Sequence, residues 1–393
     1  MPTKALKPGT ILAQPVFHPR RDELILLEKG VALTAEFIGR LRELEIRCVW
    51  VEFPGLEELD GKISERICAG HMALYQALHD SIMDLKGRVA VEMNLHQYRK
   101  MIEQILLDIV DNPDHEVFTQ QLAACSRQLA GHLSNCCYLS LLLGAHMSGY
   151  LRQQRRALPP HIAEDTHRLG LGALMHDIGK LGMPPEMREV CILDPAALTP
   201  EYRAHTVAGY ERIYGRLPGA AANVVLHHHQ RYDGSGFPDR FDKVTRTFRP
   251  PPAGEQIHVF ARIVGVVDTF DHLLYRNGKV APTVVALSRI RSGYRGWFDP
   301  VVLDQLIRLV PPFTIGSVVE LSDGRSAVVV ENHYESPCRP TVRILTGSIY
   351  RRGARVTGPP LDLRLYREPH IARVDETDVT PYLFDPIPVL IER

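Results

Sequence analysis

The sequence predicts a mainly α-helical protein with an all-helical core, a small mixed β/α module before it and a β-rich appendage after it. Three observations predict this. Apolar residues recur every three to four positions through most of 113–312, the period of helix faces turned towards a core. Beyond 313 the period falls to two, and β-branched residues alternate between Gly and Asp turn signals. With 393 residues, 45% of them hydrophobic and 23% charged, the chain is too long for one small core and has the composition of folded domains.

Taken in order, residues 1–55 carry short apolar stretches at 10–16, 23–27 and 47–53, broken by Pro and Gly, with a helical pattern at 33–44. This reads as a small N-terminal mixed β/α module ending near Pro54-Gly55. From 56 to 112 the chain is charged and helical in pattern, with Ile63, Ile67, Met72, Leu74, Leu78, Ile82 and Leu85 spaced along it. That pattern fits a helical connector or a dimerising helix pair, and equally fits amphipathic helices lying on the main core. Residues 113–312 form the helical domain, with periodic stretches around 117–151, 164–178, 203–216, 259–275 and 300–310. Residues 313–393 form the C-terminal β-rich appendage, with alternating stretches at 315–324, 327–332 and 341–345.

The composition excludes several classes. Lys plus Arg equals Asp plus Glu at 46 each, so bulk charge will not coat a nucleic-acid polymer or an anionic membrane. The longest apolar run, 136–144, falls far short of the ~20 residues of a spanning helix. The first residues, MPTKALKPGTILAQPVF, have no apolar h-region, and the seven cysteines are scattered without a CxxC. Together these predict a cytoplasmic chain with no signal peptide, no disulfide framework and no zinc-thiolate clip.

Histidine is the unusual entry, with 18 copies. Five of them, with two aspartates, lie in or beside apolar helical runs: His132, His176-Asp177, His205, His228-His229 and Asp268. A charge or unpaired imidazole in such a setting is costly unless partnered. A lone buried histidine is commonly just a satisfied core residue. Seven such groups together are most simply satisfied by divalent metal, and imidazole with carboxylate suits Zn, Mn or Fe. Adjacent His228 and His229 cannot share one helix face, so joint ligation needs a helix end, and Asp233-Gly234-Ser235-Gly236 supplies a breaker.

HDIGK at 176–180, His205 with Gly209, HH followed by DGSGFP at 233–238, and VVDTFD at 266–271 occur in the order of the HD-GYP domain. Over 113–312 the chain resembles that branch of the HD-superfamily metal-dependent phosphohydrolases, whose members typically hydrolyse cyclic di-GMP. The tail from Gly316 and the stretch Leu6-Lys7-Pro8-Gly9-Thr10-Ile11 also resemble segments that accompany it. The resemblance implies an all-helical HD-type core and a two-metal phosphodiesterase, in which a hydroxide held between the ions attacks the phosphodiester. His132, His176, Asp177 and Asp268 would hold one ion; His205, His228 and His229 would hold the second, with Asp177 shared. Fe or Mn is the expected pair, with Zn, Mg or Ni as alternatives. Lys180 would stabilise the phosphoryl oxygens; otherwise it is a helix-end lysine complementing the dipole. Substrate capture would fall to Arg276 and Lys279, otherwise a solvated charge pair, and to Gly236, Phe237 and Pro238. Arg262 fits a structural ion pair.

Four departures from the family pattern bear on substrate and rate. Phe237 stands where the signature tyrosine would be, and Gln230 where a glutamate usually follows the paired histidines. Gln128 occupies the place of the glutamate that accompanies a third metal, so two ions are expected. The stretch 239–258, rich in Arg, Phe and Pro, is an insertion that could narrow or gate the site. The competing readings are a cyclic-dinucleotide receptor or scaffold with weak turnover, and a phosphohydrolase of another nucleotide on the same fold. A cyclic dinucleotide is the expected partner, without nucleic-acid polymer or membrane. Signalling proteins at the Gly-Phe-Pro loop, and a homodimer through the 58–112 helices, are further expectations.

Overall fold

The computed structural model describes residues 3, 6–18, 21–44, 46, 49–59, 62, 64–85, 95–112, 117, 129–188, 192–193, 198–242, 247–276, 279–346 and 355–385. An antiparallel hairpin, β1 (Val16–His18) and β2 (Arg21–Leu27), precedes helix α1 (Ala35–Glu43). Thr34 caps α1, its hydroxyl accepting from Phe37 N at 3.1 Å. Leu12, Val16, Leu33, Ile38 and Leu41 close a small core of their own.

The next two helices are α2 (Glu65–Leu85) and α3 (Leu95–Asp111). Their apolar faces do not stand free. Ile67, Leu74 and Leu78, with Tyr98, Ile102 and Ile105, are buried in the same core as the helical domain. Of the two arrangements that the pattern of 56–112 allows, the described helices take the second: they are amphipathic helices lying on the main core. Three residues that suggested a homodimer surface, Ile67, Leu74 and Leu78, are buried within this chain.

Helix α4 (Leu129–His146) is buried on every face from Ala130 to Gly144. A helix apolar all round belongs at the centre of a bundle, not on its rim. Then follow α5 (Ser148–Gln154), α6 (Pro160–Ala163), α7 (His167–Met175), a 3-10 turn (Ile178–Gly182), α8 (Pro185–Arg188), α9 (Pro200–Ile213) and α10 (Gly219–His227). The inserted stretch forms a small hairpin, β3 (Arg240–Asp242) with β4 (Thr247–Arg249). Helix α11 (Val259–Leu274), a hairpin of β5 (Tyr275–Arg276) and β6 (Lys279–Val280), α12 (Thr283–Gly293) and α13 (Pro300–Leu309) complete the domain. Helices α2, α3, α7, α11 and α13 all contact α4. Among the described residues no helix is long and apolar enough to cross a membrane.

The tail is a six-stranded antiparallel sheet: β7 (Val318–Leu321), β8 (Ser326–Glu331), β9 (Thr341–Thr346), β10 (Arg355–Asp362), β11 (Ile371–Val374) and β12 (Thr377–Asp378). The strands lie in the order β10-β9-β8-β7-β11-β12. Val319, Leu321, Val329 and Ile371 line its core, and Val284 and Val285 of α12 enter the same cluster. The sheet is thus joined to the helical domain through shared apolar contacts.

Candidate metal centre

Seven side chains from six helical segments converge at the heart of the domain. His132 stands on α4, His176 caps the C-terminus of α7, and Asp177 opens the 3-10 turn. His205 lies on α9, His228 caps the C-terminus of α10 with His229 next to it, and Asp268 lies on α11. All seven are at most 8% exposed. His228 and His229 point to one place because α10 ends at His227, which frees the backbone between them from the helical repeat.

Three of the imidazoles are set by one local device. Nδ1 of His176 donates to Ala173 O at 2.7 Å, Nδ1 of His205 to Tyr202 O at 2.6 Å, and Nδ1 of His228 to Val225 O at 3.0 Å. Each bond returns to the ring's own helix three residues back. It fixes the tautomer and turns the Nε2 lone pair inward. His132 uses a carboxylate instead: Nδ1 donates to Asp271 Oδ2 at 2.7 Å, and Asn135 Nδ2 donates to Asp271 Oδ1 at 2.8 Å.

The inward atoms fall into two groups. His132 Nε2 is 3.2 Å from Asp268 Oδ1 and 3.2 Å from His176 Nε2, while Asp177 Oδ2 lies 3.5 Å from His176 Nε2 and 3.7 Å from His132 Nε2. In the second group Asp177 Oδ1 is 3.2 Å from His205 Nε2 and 3.5 Å from His228 Nε2, which are 3.4 Å apart. Donors sharing an ion at about 2.0–2.2 Å sit about 3 Å apart when adjacent and about 4 Å when opposite. The observed separations fit that range. Both oxygens of Asp177 and of Asp268 are buried and receive no aligned hydrogen bond, as does Nε2 of His229. Buried carboxylate oxygens without an aligned hydrogen bond, amid inward imidazole lone pairs, are what a divalent cation satisfies, and Asp177 Oδ2 pairs with the Lys180 ammonium as well. His229 completes the second group, its Nδ1 3.6 Å from Asp268 Oδ2.

Protonation follows the same pattern. Burial holds His176 down to about 3, and also lowers His205 and His229. Burial works against the charge on Asp177, but Lys180 and His176 outweigh it and hold the carboxyl well below its usual range. Asp268 is likewise lowered against its burial, chiefly by His132 and His272. His132 is the exception: burial opposes its charge, yet Cys136, Asp268 and Asp271 raise it, so cation binding would displace its proton. Lys180 is 1% exposed, with Nζ 2.5 Å from Asp177 Oδ2 and 5.3 Å from the Tyr202 ring centroid. Asp177 outweighs the burial of its ammonium, and the pKa is raised.

The Gly236-Phe237-Pro238 loop supports the centre from behind. Phe237 is 7% exposed, its ring 4.7 Å from that of His229, and its N donates to His229 O at 3.2 Å. A Cβ on Gly236 would lie 2.4 Å from Arg231 N and 2.5 Å from His229 O, so only glycine fits that approach. Gln230 Nε2 donates to Pro238 O at 2.7 Å, which turns this amide to the loop. The inward set of Phe237 leaves little of its ring for a signalling partner. Arg262 forms a buried pair with Asp299, joined by Tyr150, whose hydroxyl donates to Asp299 Oδ2 at 2.6 Å. The backbones of Arg276 and Lys279 face each other across the β5–β6 hairpin; their side chains, like Gln128, lie outside the described residues.

Sequence reasoning missed several neighbours. Asp271 and Asn135 received no role, although together they orient His132. His272, one turn past Asp268, places Nε2 3.4 Å from Asp268 Oδ1, and its i,i+4 spacing was the available signal. Cys136 lies by His132, but its sulfur is 3.9 Å from both ring nitrogens. The sulfur nevertheless lies within 4.8 Å of ligand atoms of His132, His176 and Asp268, and burial pushes its thiol up to about 12.

The HD domain family matches residues 143–302, and the family described as "KOW domain associated with HD domain" matches 318–379. The chain is 26% identical over 254 residues to the cyclic di-GMP phosphodiesterase PA4108 of Pseudomonas aeruginosa, covering 62% of this chain and 54% of that one. It is 36% identical over 154 residues to the cyclic di-GMP phosphodiesterase response regulator RpfG of Xanthomonas campestris, covering 37% of each. A cyclic di-GMP phosphodiesterase of Thermotoga maritima is 30% identical over 177 residues, covering 42% of this chain and 43% of the relative. The chain therefore spans about half the length, or less, of these curated relatives. Residues 143–302 thus match the HD domain family, and the chain is similar to curated cyclic di-GMP phosphodiesterases over the stretches given above, with its His-Asp pair and its Gly-Phe-Pro loop in the order of the HD-GYP pattern that it resembles.

Proposed function

We propose that the protein is a phosphodiesterase that hydrolyses a cyclic dinucleotide, cyclic di-GMP first, at a centre of two divalent ions. One observation carries this reading: the two oxygens of buried Asp177 face two different sets of imidazoles, 3.2 Å from His205 on one side and 3.5 Å from His176 on the other. His132, His176, Asp177 and Asp268 hold the first ion; Asp177, His205, His228 and His229 hold the second. Fe or Mn is the proposed pair. When bound, such a pair supplies an activated water and the positive charge that a chain of zero net charge lacks in bulk.

The protein's own groups do the rest. Lys180 fixes the shared carboxylate and adds a permanent positive charge beside the reacting phosphate. Arg276 and Lys279, paired across the hairpin that follows α11, capture the second phosphate. Gly236 and Phe237 seat His229, and Phe237 also lines the pocket beside His228 and His229, where the Gly-Phe-Pro loop meets substrate. All seven donors are buried, and a pocket lined by His228, His229, Gln230 and Phe237 reaches the second group.

The test is metal content together with turnover. Anaerobically purified protein should hold two ions and convert cyclic di-GMP to linear dinucleotide or GMP in Mn²⁺ or Fe²⁺, while Asp177→Ala should do neither. Tight cyclic di-GMP binding without product would overturn the hydrolase and favour a receptor. Turnover of another cyclic dinucleotide alone would overturn the substrate.

A further inference from the structure

His272 is an ionisable side chain against this centre that the ligand set above leaves unused. Helix α11 places it four residues after Asp268, on the same face. Its Nε2 lies 3.4 Å from Asp268 Oδ1, the oxygen that is also 3.2 Å from His132 Nε2. The rings of His272 and His132 are 4.7 Å apart. Nε2 is itself buried and has no hydrogen-bond partner, although the side chain as a whole is 19% exposed. An aligned hydrogen bond to Asp268 would satisfy both atoms, and neither is satisfied. Adjacent donors on one ion stand about 3 Å apart, and a 3.4 Å contact between two unsatisfied lone-pair bearers meets that spacing. Two ligands at i and i+4 on one helix are also a recurrent way of gripping a single metal.

We propose that His272 is a further ligand of the first ion, beside His132, His176, Asp177 and Asp268. The proposal rests on the two-ion reading. It adds a third imidazole to that ion, and a more nitrogen-rich set favours Fe²⁺, Co²⁺, Ni²⁺ or Zn²⁺ over Mg²⁺. Asp268 and His272 then act as a two-point clip from α11, with Asp271 on the same helix orienting His132 from outside.

The full-length chain is stripped with chelator, titrated with Co²⁺, and followed by metal content and by the cobalt absorption spectrum. Wild type is expected to take up two ions. His272→Ala should bind one of them about tenfold or more weakly, with a changed cobalt spectrum, and added imidazole should restore both. Circular dichroism melts of the metal-free proteins establish that the variant is folded; should Ala unfold it, His272→Gln, which keeps the bulk, is measured in the same way. Two ions at unchanged affinity, with the wild-type spectrum, would overturn the ligand role while leaving the two-ion centre intact. Failure of wild type to bind cobalt at all would overturn the two-ion reading, and this proposal with it.

Discussion

Gln230 occupies the position where the family usually carries a glutamate, and its amide does something a carboxylate cannot. It donates to Pro238 O at 2.7 Å, tying down the loop that presses Phe237 against His229. Gln230→Glu would set a carboxylate against a carbonyl. The expected outcome is a loss of about 1–3 kcal/mol of stability and no gain in turnover; a glutamate variant with an unchanged melting temperature and a higher kcat would contradict it. A second position is tighter still. A Cβ on Gly179 would lie 1.9 Å from His205 O and 2.8 Å from Gly209 N, so the 3-10 turn could not approach α9. Gly179→Ala is expected to cost about 1–3 kcal/mol or more and to weaken retention of the second ion, because that approach sets Asp177 against His205. Metal analysis after gel filtration, beside a thermal melt, checks both. The seven proposed ligands were legible because coordination demands residue types, and His and Asp in apolar helices announce themselves. Their supports were not. The bond from His132 to Asp271 spans 139 residues, and nothing local in either segment reports it.

Helices show the same division between what is periodic and what is only packed. The periodic stretches that became α9, α11 and α13 were visible: α9 and α13 turn a stripe to the core, and α11 is buried on nearly every face. Helix α10 was not singled out: it is short and Ala-rich, and its packing on α7, α9 and α11 defines its role. Helices α2 and α3 were legible as helices but not in their placement, because an amphipathic face does not name its partner. Junctions between elements are held by polar groups whose partners the sequence does not name; Arg262 reads as an ion-pair residue, but its partner Asp299 lies 37 residues on. Arg262 on α11 pairs with Asp299, which also caps α13 by accepting from Val301 N at 3.0 Å. Tyr150 of α5 joins them, and Arg262 Nε donates to Ile257 O at 3.0 Å. Removing one member leaves a buried charge unpaired. Arg262→Ala is expected to lose about 3–5 kcal/mol in urea unfolding, with the ligand set itself untouched in composition. A loss below about 1 kcal/mol would mean that the pair is not buried in solution.

Across the whole molecule, the helical domain depends on chain that lies before the HD match. Leu74, Leu78, Tyr98 and Ile102 are fully or almost fully buried in the core that surrounds α4. A fragment starting at 113 would expose those contacts, and it is expected to be unfolded or aggregated where the full chain is folded; a cooperative melt of the fragment near that of the full chain would refute this. The packing of α2 on α4 also brings a histidine against the second layer of the metal centre. His71 is 3% exposed, its ring 5.4 Å from that of Tyr138, and Asn135, which supports Asp271, is its polar neighbour. Burial holds His71 down to about 4, with Asn135 and Asp271 opposing that shift only in part. Its unfolded value is 6.5. Between those two values the unfolded chain binds the proton and the folded one does not, so stability rises with pH through that window. The contribution is complete above about 6.5 and is lost as the pH falls towards 4, amounting to about 3 kcal/mol for this one group. Urea midpoints of the chelated protein should therefore fall between pH 7 and pH 5. His71→Gln, which cannot take up the proton, should show a shallower fall. Parallel pH profiles for the two proteins would mean that His71 is already protonated, or solvated, in the folded state.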